Sequence, residues 1–453
     1  MDINKISALS PIVQFIKKST FSSFLLFFSA FLALIIANSP ANSFMQSLLQ
    51  EKVGFSIGNF TVIKTVKLWI NDGLMSIFFF VVGLELKREI IAGELSKPKN
   101  IMMPIVRAIG GMIFPAIIYM LINMHGTAES QYGWGIPMAT DIAFALGVLF
   151  LLGPSVPIQL KVFLTALAII DDIGAVLVVA LFYTSEISVA NLATGAIILA
   201  VMFILNKIGV RSVLVYAILG IAGVWLACLL SGVHATIAAV LAAFAIPTTR
   251  SIDKEKYLSN LKEMTTHFKT AKKAEKEEYL LSSDEENIIG EIRRISNNAV
   301  SPLQRLENSM HPVVVYVVMP IFALANAGVI IGQNWLAMIT SPVAIGVMLG
   351  LLLGKLIGVF GLSMLGIRLG WYKMPEGLNS QLVLGASFLP AIGFTMSLFI
   401  NTLAFESRIF IEQAKMGILL ASLFAGILGY FIIKTAITKP VALKPKVMTS
   451  IEV

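Results

Sequence analysis

Apolar residues in this chain come in runs of about 17–25, the length that crosses a bilayer as α-helix, with polar residues gathered between them. The runs predict membrane spans near 21–37, 73–95, 101–121, 136–152, 158–183, 190–206, 211–227, 230–246, 312–331, 342–366, 381–401 and 411–434. Two stretches break the pattern. In GFSIGNFTVIKTV, alternating β-branched segments flank Gly58-Asn59, which predicts a short β-hairpin between the first two spans. Such a hairpin would carry two exposed edges, which a second copy of the chain could satisfy. The segment 250–311 mixes both charge signs densely and predicts exposed helix outside the bilayer.

Charge placement orients the spans. Threaded from a cytoplasmic N-terminus, the inside segments collect Lys17, Lys18, Lys87, Arg88, Lys207, Arg211, Arg368 and Lys434. The outside segments hold chiefly His125, Glu129, Glu186 and Glu406, with Lys52, Lys64 and Lys67 of the hairpin loop against the trend. This asymmetry supports about twelve spans with both termini cytoplasmic. The chain then divides into a first set of spans (1–249), a charged cytoplasmic loop (250–311), a second set of spans (312–437) and a cytoplasmic tail (438–453). Composition agrees: 57% of residues are hydrophobic and 13% charged. The net charge of +8 sits between apolar runs, so it reports topology and gives no reason to expect a nucleic-acid partner. A single cysteine, Cys228, excludes a disulfide framework. Arg107, about six residues into the third span, is expected to snorkel towards water.

Against this apolar background a few polar residues stand out. Asp171 and Asp172 in LTALAIIDDIGAVLVVA lie about 13 residues into their span, roughly 18 Å along its axis and so near mid-membrane. Carboxylates at that depth read as functional by default. Two adjacent ones cannot both stay charged and unpartnered; they need a cation, protons, or both. Asp141 follows Pro137 and Thr140 in a fourth span, and Pro390 and Gly393 interrupt an eleventh. Both segments are expected to be broken within the membrane, where helix N-termini suit a carboxylate and C-termini an ammonium. Two interrupted helices in the middle of three-span units point to inverted repeats with a site between them.

Lys355 is deep in MLGLLLGKLIGVFG. That stretch falls one residue short of a phosphate-binding loop and lacks the hydroxyl residue after lysine, so nucleotide binding is rejected. Gly350, Gly354 and Gly358 recur every four residues and make a face that lets helices approach closely, beside which Lys355 can reach an aspartate on a neighbouring span. His234 begins a span and can sense pH. Glu85, Arg88 and Glu89 mark one cytoplasmic span end, and Glu307 and His311 another. A site where a cation and protons compete for the same carboxylates is an exchanger in outline, and three other activities stand against that reading. An intramembrane aspartyl protease needs a Gly-x-Gly-Asp arrangement that IIDDIGA lacks. A sodium-coupled organic-anion symporter would take up solute. A passive channel fits poorly with a lysine beside the acidic pair.

The segments INDGLMSIFFFVVGLELKREI, GIPMATDIAFALG, LTALAIIDDIGA, SGVHATIAAV, RLENSMHPVVVYVVMPIFALANAG and IGFTMSLF, in this order, resemble the NhaA-type bacterial sodium/proton antiporters. Members of that family are built as inverted repeats with broken helices, so the site's placement there is not independent of the resemblance. The resemblance implies an all-α polytopic fold of about twelve helices with broken spans four and eleven and a short external hairpin. It implies electrogenic, pH-regulated exchange of cytoplasmic sodium or lithium for external protons, with no cofactor, in the bacterial inner membrane. It makes Asp171 and Asp172 the ion and proton site, with Asp172 and Asp171 holding sodium. Asp171 would pair with Lys355, and Thr140 and Asp141 would sit at the helix crossing, where Asp141 and Lys355 offset the end charges. Glu85, Arg88, Glu89, Glu307 and His311 would form a pH-responsive region, with His234 affecting that response. Membrane lipid and a second copy, docked through the hairpin near 54–66, are the implied partners. The chain departs from the family in the length of 250–311 and in Arg107.

Overall fold

The computed structural model describes residues 11–57, 60–93, 96, 98–184, 188–271, 281–332, 334–371, 374 and 377–438. The Gly58-Asn59 turn, residues 272–280 of the charged loop and residues 439–453 of the expected tail lie outside them. Helix dominates. Among the described residues eight helices are long and apolar enough to cross a membrane, or ten if two sharply bent pairs each count as one span. The two remaining expected spans differ for identifiable reasons. Met75–Ala92 is helical but carries Glu85, Lys87, Arg88 and Glu89 in its last turns, and Ala235–Ala245 is only 11 residues long.

The described residues fold as two compact units that interleave in sequence, one drawn from the stretches 1–24, 102–171 and 331–453 and the other from 25–101 and 172–330. The division falls between Asp171 and Asp172, inside the helix Ile158–Phe182.

In the first unit, small residues set the spacing of the helices. A Cβ on Gly354 would lie 2.5 Å from Pro115 Cα, one on Gly350 2.8 Å from Pro137 Cβ, and one on Gly358 would overlap the Gly110 carbonyl oxygen. The glycine face expected from the sequence therefore seats the segment Pro342–Arg368 directly against Pro98–Asn123. Lys355 stands between two short π-helical stretches, Gly350–Gly354 and Leu356–Gly361. Such wide turns re-aim side chains and recur at functional sites. The long helix Arg408–Thr438 packs on Pro342–Leu349 and Ser380–Phe388, with Gly417 against the Ala344 carbonyl and Gly385 against Ile433. Arg107 does not snorkel: it is 1% exposed, with its guanidinium 4.4 Å above the centre of the Phe163 ring. A flat, weakly hydrated guanidinium stacks on an aromatic face in a way that an ammonium does not, so arginine can stay inside where lysine would reach for water.

In the second unit Ala235–Ala245 lies on Met75–Ala92, where a Cβ on Gly83 would come within 2.8 Å of Ala243 Cβ. Leu84, Met202, Tyr216, Val224 and Ala242 form its apolar core. Strands β1 (Lys52–Ile57) and β2 (Phe60–Thr65) pair antiparallel, from Lys52 opposite Thr65 to Ile57 opposite Phe60. Gly54 is required in this ladder, because a Cβ there would overlap the Val62 carbonyl. The described parts of the charged loop form two helices, Lys254–Thr270 and Ser283–Ala299, the second opened by a reciprocal Ser282–Glu285 capping box. Their root is tied by Ser251 N–H donating to the Asn298 carbonyl at 3.0 Å. The next helix begins at Pro302, ten residues before the expected span at 312, because Ser301 caps it and proline suits a first helical turn.

Candidate functional site

Both interrupted segments belong to the first unit. In one, a 3-10 turn over Gly133–Met138 ends at Ala139, and the α-helix Ile142–Leu151 starts after Asp141 with a 43° change of direction. In the other, Ser380–Phe388 passes through a 3-10 turn at Leu389–Ala391 and a non-helical Ile392 before Phe394–Ala404 resumes. Backbone groups released at one interruption are taken up by the other. Asp141 N–H donates to the Ile392 carbonyl at 2.7 Å, and the Ser397 hydroxyl donates to the Ile136 carbonyl at 2.8 Å. Irregular backbone at such depth needs this mutual satisfaction.

Asp141 is fully buried and acts as the N-cap of Ile142–Leu151, one oxygen accepting from Phe144 N–H at 3.1 Å. Its other oxygen accepts from Thr395 N–H at 3.0 Å and from the Thr395 hydroxyl. One carboxylate thus serves the first turns of two helices, where partial positive charge favours an anion.

Next to it lies the buried ion pair. Lys355 Nζ donates to Asp171 Oδ2 at 2.6 Å, and both side chains are 0% exposed. The Thr140 hydroxyl is 2.8 Å from the same oxygen and 2.9 Å from the Pro390 carbonyl, so it stands between the acid and the second interruption. Asp171 Oδ1 has no hydrogen-bond partner among the described residues, although it is shielded from solvent. A Cβ on Gly111 would sit 3.6 Å from Lys355 and 3.7 Å from this oxygen. Glycine therefore keeps the space beside Oδ1 open. Carboxylate oxygens are strong acceptors with room for several donors each, and one left idle in a low-dielectric interior is a place for a proton or a cation. Asp172, the next residue along the helix, is also buried.

The structure thus brings together Asp171, Lys355 and Thr140, and Thr140 is continuous with Asp141. Lys355 meets an acid rather than a helix terminus in its observed bonding. In the second unit a separate group forms. Arg88 is ion-paired to Glu307 and, at 3.0 Å, to Glu89; Glu85 lies within the electrostatic reach of Glu307, Arg88 and Glu89, and His311 within that of Arg88. His234 bonds elsewhere: its Nε2 is 2.6 Å from the Tyr183 carbonyl, so the ring nitrogen donates there. Among the described residues no group of three or more His, Cys, Asp or Glu side chains is placed to hold a metal ion.

Sequence reasoning missed two features. Thr395 sits in a quoted motif, but a threonine in an apolar helix usually bonds its own preceding turn, so nothing local marks it as a partner of Asp141. The nearly buried Lys415, 3.0 Å from Glu412 in the helix Arg408–Thr438, lies near the start of an expected span, where charge reads as interfacial.

A family profile described as Na+/H+ antiporter 1 matches residues 13–433. A protein named Na(+)/H(+) antiporter NhaA from Oleidesulfovibrio alaskensis is 46% identical over 94% of this chain and 94% of its own length. Its namesake from Wolinella succinogenes is 46% identical over 93% of this chain and 92% of its own, and that from Rhodospirillum rubrum 42% over 95% and 99%. Among solved structures, the sodium proton antiporter MjNhaP1 from Methanocaldococcus jannaschii covers 94% of this chain and 98% of its own at 14% identity and a TM-score of 0.45, a likeness too low to bear on the site.

Proposed function

The chain belongs to the Na+/H+ antiporter 1 family, and from that premise we propose that it is a secondary transporter exchanging cytoplasmic sodium, or lithium, for external protons. It is a transporter and not an enzyme. The supporting observation is the buried Lys355–Asp171 pair, whose Asp171 Oδ1 is left without a donor; Asp172, the next residue in the chain, is also buried. Sodium is the substrate and binds when Asp171 and Asp172 are both deprotonated, with Thr140 supplying a further oxygen. Protons arriving from outside neutralise the same carboxylates and release the ion. Lys355 holds Asp171 while the acid is charged and loses its partner when the acid takes a proton. Because site occupancy alternates between sodium and more than one proton, exchange moves net charge and is driven by the proton gradient.

The remaining parts of the reading follow from the same premise. The chain forms about twelve spans in a bacterial inner membrane with both termini cytoplasmic, as inverted repeats whose broken fourth and eleventh helices frame an alternating-access site. Asp141 steadies those breaks by offsetting helix-end charge. The group Glu85, Arg88, Glu89, Glu307 and His311, with His234, sets the response to pH. The hairpin near 54–66 pairs with a second copy, and lipid surrounds the spans. The test is sodium-dependent dissipation of a pH gradient in everted membrane vesicles. Asp172→Asn and Asp171→Asn are expected to abolish it, and full activity in Asp172→Asn would reject this mechanism. Sodium-driven uptake of a labelled organic anion, with no proton movement, would instead favour a symporter.

A further inference from the structure

The charged segment between the two sets of spans creates a cavity at its root. A space of about 380 Å³ opens in the second unit, lined by Arg88, Arg250, Thr248 and Gln304, with Ile91 and Leu303 among its apolar walls. Every charged side chain that lines it is a guanidinium. Arg250 is exposed and has no side-chain hydrogen bond or ion pair among the described residues, so its donors are available to the space it lines. Arg88 gives one terminal nitrogen to Glu307 and the other to Glu89, yet a guanidinium has five N–H donors and is 40% exposed here. Thr248 and Gln304 add neutral groups able to donate. Planar forks with hydroxyl and amide donors are the usual recognition chemistry for phosphate oxygens.

We propose that this cavity binds a phosphate-bearing anion, held by Arg250 and Arg88, at the base of the 250–301 insertion. The volume suits a small anion or a single lipid headgroup rather than a folded partner. Arg250 and residues 299–304 flank the two helices Lys254–Thr270 and Ser283–Ala299, and they are tied together by the Ser251–Asn298 link and by Leu303 N–H donating to the Pro247 carbonyl at 3.1 Å. An occupant would compete with Glu307 for Arg88. On the reading of Arg88 and Glu307 as part of the pH response, occupancy would therefore tune exchange. That consequence rests on the proposed function, whereas the binding site does not.

The experiment uses the purified full-length protein, with inorganic pyrophosphate as a soluble probe by calorimetry in detergent, and phosphatidylglycerol against phosphatidylcholine in nanodiscs as the lipid probe. Saturable binding near one per chain is expected in at least one arm, and the arm that responds identifies the source. Arg250→Gln is expected to weaken it about tenfold, the effect of losing one charge-assisted contact. Arg293→Gln, the same charge change on the exposed face of Ser283–Ala299, is expected to leave it unchanged. Exchange by Arg250→Gln without ligand is expected to match the parent chain. Absence of saturable binding in both arms, or equal loss in the two variants, would overturn the proposal. Absence of exchange in the parent chain would count against the antiporter reading and leave the binding result standing.

Discussion

Thr395 donates twice to the same oxygen of Asp141, through its backbone N–H at 3.0 Å and through its hydroxyl. The backbone bond does not use the side chain, so a variant that keeps the N–H tests the hydroxyl alone. Thr395→Val keeps the shape and removes one donor from a fully buried carboxylate. A cost of about 1–3 kcal/mol is expected in thermal unfolding, because an acceptor in the interior loses a partner it cannot replace. Exchange should slow, and Thr395→Ser should restore both stability and rate. A Thr395→Val protein as stable as the parent would show that the hydroxyl does not hold Asp141.

The Lys355–Asp171 pair separates stability from transport. Lys355→Met leaves a buried carboxylate without its cation and should cost about 3–5 kcal/mol, the usual penalty for breaking a buried pair from one side. Adding Asp171→Asn removes the stranded charge, so the double variant should melt well above the single one. Neither variant is expected to exchange sodium for protons in vesicles. Recovered stability with no recovered exchange is the pattern that assigns the pair to transport; additive destabilisation would deny the coupling.

Close packing gives a third expectation. Gly354→Ala places a methyl 2.5 Å from Pro115 Cα, and neither backbone can yield cheaply, so destabilisation of about 1–3 kcal/mol is expected. Gly361→Ala, whose nearest neighbour would be Ile357 Cγ2 at 4.0 Å, is expected to be neutral. Thermal unfolding of the two purified variants in detergent distinguishes them directly.

Why some of this was readable in advance and some was not has a physical basis. The hairpin strands announce themselves through period-two patterning around Gly-Asn, and the face of Gly350, Gly354 and Gly358 through its four-residue spacing. Asp171, Asp172 and Lys355 stand out because ionisable groups are expensive in an apolar run. Which acid Lys355 meets is a question of three-dimensional proximity; the family resemblance supplied Asp171, and spacing alone could not have. For Arg107, depth in a span suggests snorkelling, whereas the deciding contact, Phe163, lies 56 residues away in sequence. Thr395 escaped notice for a similar reason, since its partner is an aspartate on another segment. The helical pair rooted at Ser251 and Asn298 was foreseeable as helix but not as the wall of a cavity.

Competition between sodium and protons, if it occurs at the acidic pair, has a measurable slope. If sodium can occupy Asp171 and Asp172 only after their protons leave, the apparent sodium affinity must depend on pH, as for any cation whose ligands must be deprotonated. In the acidic range each competing proton should weaken apparent sodium binding about tenfold per pH unit, so two protons give up to about a hundredfold. In the alkaline range, where both carboxylates are ionised, the affinity should level off. Sodium calorimetry on the purified chain at several pH values reads the slope directly, and proton release into weakly buffered medium on adding sodium gives the same number independently. In Asp172→Asn one site of competition is gone, so any residual binding should show a shallower slope. Sodium uptake with the same affinity across the whole range, without proton release, would mean that ions and protons use different groups, and exchange at this pair would have to be abandoned.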